Sequence, residues 1–229
     1  MSGINTRNEH GRVNQKRRTR AAIIMACQHL ITAGADINMP AVARAALVSD
    51  PTAYRYFPDL ASLLEEALAD MEPDPAAALA AGPDSGDPVE RVAYAAELLA
   101  RLVIERQSAI RPLMSVAIAR GTARAVRPGY RFALIDQALA PLSGHKPGID
   151  AAALEQLRRD LAVVISAEAV LTLIDLYGLD PDAAVASVVH TARLITDATL
   201  GRVGAGPNRS AHAVRDDPLR RLSGGEGNS

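Results

Sequence analysis

Residues 38–57 read NMPAVARAALVSDPTAYRYF, and two helix starts lie within that stretch. Asn38 followed by Pro40 is a capping residue with a first-turn proline. Val42, Ala43 and Ala46 give the short helix after it an apolar face. Ser49, with Asp50 and Pro51 behind it, opens a second helix. Two short helices joined by a tight turn form a helix-turn-helix, an arrangement that lays its second helix in the major groove of DNA. Tyr54, Tyr56 and Phe57 hold three of the seven aromatic residues in the chain. Phenol hydroxyls can reach phosphates while the rings pack against the first helix, and Thr52 and Arg55 add further donors.

On the N-terminal side, Ile23, Ala26, Cys27, Leu30 and Ile31 recur at helical spacing, and Gly34 closes the run as a C-cap. Residues 1–16 are polar and read as a flexible basic arm, with the helical pattern setting in from Arg18. Lys16, Arg17, Arg18 and Arg20 form a basic lead-in to the first helix. On the C-terminal side, Pro58-Asp59 opens a fourth helix with Leu60, Leu63, Leu64, Ala67, Leu68 and Met71 on one face. Through Pro58 the chain has eight basic and three acidic residues; the remainder has 17 basic and 23 acidic. A basic head on an acidic body suits a nucleic-acid-reading module joined to something else. A solvated basic tail would give the same count, so charge alone does not decide.

The stretch resembles the TetR family of bacterial transcriptional regulators, whose pattern around its second and third helices is I-A-x-x-A-G-V-S-x-x-T-x-Y-x-Y/H-F. Val42, Ala43, Ala46, Val48, Ser49, Thr52, Tyr54, Tyr56 and Phe57 stand at the corresponding places. The likeness runs back to Gly34 and forward to Leu63. It implies a homodimer on an inverted-repeat operator in double-stranded DNA, usually as a repressor, with a small-molecule effector in the C-terminal domain. Carried over position by position, Ser49, Thr52, Tyr54 and Tyr56 are phosphate or base contacts, with Arg55 a further one. Lys16, Arg17, Arg18 and Arg20 then approach the DNA backbone or minor groove. Three positions depart from the pattern. Leu47 replaces the usual turn glycine, at a cost of about 1 kcal/mol if φ is positive there. Asp50 sets a carboxylate where a cation is frequent, and Leu60 replaces a lysine that touches the DNA backbone. These departures favour an alternative: a helical small-molecule sensor or carrier with weakened or lost operator binding.

The rest of the chain predicts an all-α fold of about nine helices. Residues 17–71 form the DNA-binding domain, and 72–88, with four prolines and two glycines, form a linker with room for one helical turn at 76–81. Residues 89–201 form a helical effector-binding and dimerisation domain, and 202–229 a disordered tail. Helical patterns span 89–106, 108–121, 128–139, a long 151–177 and a last run from Pro181, with a Gly/Pro loop at 143–150. Candidate pocket residues are Tyr94, Arg111, Met114, Tyr130 and Phe132, which combine apolar walls with a few polar groups. Glu168 reads more readily as a solvated or subunit-edge acid than as a ligand partner. Leu161, Ile165, Val185, Val189 and Ile195 lie on wide apolar faces that suit a four-helix interface between two subunits. The competing reading spends both faces inside one subunit.

A single Cys excludes an internal disulfide and a Cys-based zinc site, and the histidines show no metal spacing. The sequence lacks a P-loop, a G-x-S-x-G, an H-E-x-x-H and a dinucleotide glycine motif, so no enzyme, metal or cofactor is expected. No apolar run reaches membrane-span length and the first residues lack a signal core, which predicts a cytoplasmic protein with no membrane partner.

Overall fold

The computed structural model describes residues 4–83, 85–120, 129–142 and 149–204. Eleven α-helices and one short 3₁₀ turn fill them, and no strand occurs among the described residues. The all-α expectation holds. The head is α1 (Ile4–Thr32), α2 (Met39–Ala45), α3 (Asp50–Tyr56) and α4 (Leu60–Ala69). The body is α5 (Pro75–Ala80), α6 (Pro88–Glu105), α7 (Gln107–Arg120), α8 (Tyr130–Leu139), α9 (Ala151–Val164), α10 (Ala167–Asp175) and α11 (Pro181–Gly204).

Helix starts follow the short polar residues that precede them. Asn38, Asp59, Asp74, Asp87, Asp150, Ser166 and Asp180 each accept a hydrogen bond from a first-turn backbone N–H at 2.6–3.1 Å. At the end of α1, Gly34 has φ 63°. The N–H of Gly34 donates to the Ile31 carbonyl and that of Ala35 to the Leu30 carbonyl, the Schellman pattern. The end of α2 repeats this pairing, with Leu47 donating to Arg44 and Val48 to Ala43. Here a leucine holds the left-handed position, at φ 56°.

Three sequence expectations change, and one is met. Residues 4–16 are part of α1, which starts at Ile4, ahead of the expected onset at Arg18. The helical turn read in the linker at 76–81 is α5, Pro75–Ala80. The long 151–177 helix is two: it stops at Val164, and Ile165 (ψ 74°) and Ser166 (φ −150°) turn the chain before Ser166 caps α10. A serine followed by a first-turn acid, Glu168, was the sequence signal for that break. α11 runs on to Gly204. Residues 205–229 of the expected tail, 121–128, and most of the 143–150 loop lie outside the described residues.

Two hydrophobic clusters organise the chain. The head cluster gathers Ile23, Cys27, Ile31, Val42, Ala53, Phe57, Leu63 and Leu64, together with Ala109 and Leu113 of α7. α7 thus completes the head core although the sequence places it in the body. The body cluster gathers Val92, Ala96, Leu99, Leu134, Ile135, Leu157, Leu161, Ile165, Val185 and Val188. α6 and α11 run antiparallel: early Glu90 pairs with late Arg193 at 2.8–2.9 Å, and late Arg101 meets early Asp182 at 3.4 Å. Alanines at 95, 96, 100, 184 and 192 are buried in the body and keep it compact without large rings. Among the described residues, no helix is long and apolar enough to cross a membrane.

Candidate functional site

The turn between α2 and α3 decides which side chains face outward. Ala53 and Phe57 are buried on the inner side of α3, which turns Tyr54 and Arg55 to solvent, Tyr54 at 48% exposure. Tyr56 is half-buried against the head cluster and carries Arg55 over its ring at 5.6 Å. Ser49 holds the N-cap backbone position of α3, but its hydroxyl does not cap. It instead shares a hydrogen bond with the Thr52 hydroxyl at 2.9 Å. Ser49, Thr52, Tyr54 and Arg55 therefore form one contiguous polar face, with Asp50 exposed beside it. Leu47, in the turn, is 93% exposed and has no packing role to offset its backbone strain.

The basic lead-in divides. Lys16, Arg17 and Arg18 are exposed along α1. Arg20 is engaged within the head: its guanidinium forks onto the Glu66 carboxylate and lies over the Phe57 ring, 4.7 Å from its centre. Its first task is to hold α1 against α4 and the end of α3. Cys27 is fully buried, and burial pushes its thiol up to about 12, so it stays protonated and behaves as a core residue.

A cavity of about 110 Å³ lies where head meets body, between the end of α4 and helices α6, α7, α8 and α10. Leu68, Leu99, Leu102, Val103, Ile110, Leu113 and Met114 supply apolar walls. Glu72, Arg106, Tyr130, Arg131 and Glu168 supply polar groups. Of the sequence candidates, Met114 and Tyr130 line it. Tyr94, Arg111 and Phe132 do not. Tyr94 packs so closely on the turn after α5 that a Cβ at Gly82 would fall 2.1 Å from its ring. Arg111 is tied to Asp175 by two bonds of 2.5 and 2.8 Å. Phe132 is half exposed beneath the Arg131 guanidinium at 4.7 Å.

Arg106 and Glu72 escaped the sequence reading because each looks like a solvated charge at a helix end. Arg106 is the C-cap of α6, at the break before α7. From there its Nη2 donates to the Met71 carbonyl oxygen at 3.1 Å, while its Nε is sealed from water without an acceptor. A buried N–H left so costs about 1–3 kcal/mol. Burial pushes the Glu72 carboxyl up to about 7, with Arg106 opposing. Burial, then the Glu72 charge, raises the Tyr130 phenol. Glu168, read as a solvated or edge acid, accepts from Arg131 at 3.3 Å on the cavity wall.

In the body, Leu161, Ile165 and Val185 are buried within the protomer, as the reading that spends both faces inside one subunit expects of them. Val189 and Ile195 are half-buried against the body cluster. Among the described residues from α9 onward, the large apolar side chains left outside are Val163, Leu176, Tyr177 and Leu194, exposed by 55–83%. An open groove of about 400 Å³ between α9, α10 and α11 includes Val163, Leu173, Ser187 and Thr191. Among the described residues, no cluster of His, Cys, Asp and Glu is arranged to hold a metal.

The architecture is that of an all-α protein with a helix-turn-helix in its N-terminal unit. No family model and no curated protein matches the chain. Among solved structures it is similar to native NalD, the secondary repressor of the MexAB-OprM multidrug efflux pump in Pseudomonas aeruginosa. That likeness has 19% identity over 78% of this chain and 95% of that one, with a TM-score of 0.47.

Proposed function

We propose that this chain is a TetR-like transcriptional regulator that binds an inverted-repeat operator as a homodimer, represses from it, and is released by a small molecule. The observation that carries the reading is the outward polar face of α3, with Ser49, Thr52, Tyr54 and Arg55 exposed or half-exposed over a buried Ala53 and Phe57. A recognition helix needs that division between a fixed inner side and a free outer one. Lys16, Arg17 and Arg18 add cations for the phosphate backbone. The exposed Val163 and Leu194, beside the groove of α9–α11, supply the apolar surface for a twofold contact. The cavity under α4 supplies a place where a ligand acts on the head.

Selection of double-stranded DNA from a random pool by the purified chain tests this. The expected result is an enriched inverted repeat with half-sites about one helical turn apart, roughly 34–36 Å. Binding that is sequence-independent and vanishes with salt overturns it. That result favours the second reading, a sensor or carrier without an operator, for which the exposed Asp50 on the first turn of α3 speaks.

A further inference from the structure

The charges around the head–body cavity select among ligands. The inference rests on the regulator reading for its biological use, but its test does not need DNA. Arg131 is matched by Glu168 at 3.3 Å. Arg106 and Glu72 remain, facing the Tyr130 phenol, with Asp74 also acting on that phenol. Arg106 cannot give up its charge. Glu72 can, because burial holds its carboxyl near neutrality. With Glu72 protonated, the Arg106 guanidinium keeps its charge on the cavity wall, with the Met71 carbonyl as acceptor for its Nη2. The facing wall is hydrocarbon, from Leu99, Val103, Leu113 and Met114.

We propose that this cavity binds a small monocarboxylate with an apolar body, its carboxylate on the Arg106 guanidinium and its hydrocarbon against Leu99, Val103 and Leu113. The volume of about 110 Å³ limits that body to roughly a single ring or a short alkyl chain. An ammonium ligand meets Arg106 and Arg131. A neutral isostere leaves the Arg106 charge unmatched. A bound carboxylate also disfavours a second negative charge beside it, so Glu72 takes a proton from solvent and its O–H faces the ligand as a donor. Binding therefore consumes a proton, and affinity falls as pH rises above 7. Arg106 also holds the Met71 carbonyl at the end of α4. A carboxylate that draws on the same guanidinium changes how α4 is held, and through α4 how the head sits.

Calorimetric titration of the full chain with benzoate, hexanoate, benzamide and benzylamine decides it. Benzoate or hexanoate should bind at one per chain, with benzamide and benzylamine weaker by about tenfold or more. Heats in buffers of different ionisation enthalpy should report proton uptake, and carboxylate affinity should drop by up to about tenfold per pH unit above 7. Glu72→Gln should keep carboxylate binding and flatten its pH dependence, and Arg106→Leu should lose it. If Arg106→Leu does not fold, the charge series and the proton uptake of the unaltered chain still decide. Benzamide equal to benzoate, a preference for benzylamine, no proton uptake, or no binding by either carboxylate would overturn the proposal. Carboxylate binding by a chain that enriches no DNA sinks the regulator reading alone. An enriched operator with no carboxylate binding sinks this proposal alone.

Discussion

The Arg20 guanidinium carbon lies 4.7 Å above the centre of the Phe57 ring, so an arginine of the basic lead-in is part of the scaffold that carries α3. The same group forks onto Glu66 of α4. A lysine keeps the charge but loses the planar fork and the stacking. Arg20→Lys is therefore expected to destabilise the head by about 0.5–1 kcal/mol, since the pair is partly exposed. Chemical denaturation checks it. Unchanged stability with weakened DNA binding would instead make Arg20 a DNA-backbone contact.

Leu47 sits in the left-handed region at φ 56° with 93% of its surface exposed. Glycine relieves backbone strain of roughly 1–2 kcal/mol there and gives back part of it as unfolded-chain entropy. Leu47→Gly should stabilise the protein by about 0.5–1 kcal/mol, raising Tm by a few degrees. A loss of stability would mean that the leucine side chain makes a contact which its exposure denies.

Exposed α3 residues and exposed α1 cations should fail differently. Tyr54→Ala and Arg55→Ala remove groups from the outward face of α3 and should cost about 1–3 kcal/mol on the selected operator. They should cost much less on unrelated DNA. Replacing Lys16, Arg17 and Arg18 by Ala should weaken binding to every sequence alike. The log–log salt slope should shrink by about 0.9 for each cation that touches a phosphate. Binding isotherms at several salt concentrations separate the two. Affinity untouched by the triple change removes the lead-in from the interface.

Local signals told the truth where structure is local. The caps at Asn38 and Asp59, the closing Gly34 and the two short helices between them are decided within a few residues of chain, and all were legible. The positive φ at Leu47 was open: only the family pattern's glycine at that place pointed to it, since a leucine carries no signal of its own for the left-handed region. Non-local facts were not. The apolar faces carrying Leu161, Ile165 and Val185 look the same whether they meet their own subunit or a partner. Only packing spends them inside. Arg106 and Glu72 lie far apart in sequence, each at the polar end of an apolar run (Leu102–Ile104 and Leu68–Met71), so burial reaches them only once α4 and α6 are brought together. Arg111 and Phe132 lie away from the head–body cavity for the same reason: Asp175 ties down the first, and the second stands half exposed under Arg131, beside an open pocket it shares with Ile135, Asp136 and Arg158.

The exposed Leu194 lies seven residues beyond Ser187 and three beyond Thr191, both of which line the α9–α11 groove, so it continues the same face of α11. A twofold interface on this face would bury Leu194 beside Val163. Leu194→Glu would then place a charge in that contact, at a cost of several kcal/mol per dimer. Within one protomer Leu194 is 55% exposed, so the change should leave monomer folding intact. Analytical ultracentrifugation should show dimer giving way to monomer. A dimer of unaltered strength would place the interface elsewhere.

Glu72 makes stability depend on pH in an unusual direction for a carboxylate. Its folded value is raised from 4.5 to about 7, so between those limits the folded chain binds more protons than the unfolded one. Its contribution is fully present below about pH 4.5 and is lost as pH rises through 7. Discounted for its partial exposure, the loss is on the order of 1–2 kcal/mol. Glu72→Gln keeps the neutral shape without the titration. It should match the unaltered chain near pH 5, exceed it in stability at pH 8, and flatten the stability profile between. Urea melts across that range measure both curves. Parallel curves would mean that water reaches the carboxylate and burial does not hold its proton, which would also remove the proton uptake expected when a carboxylate binds beside it.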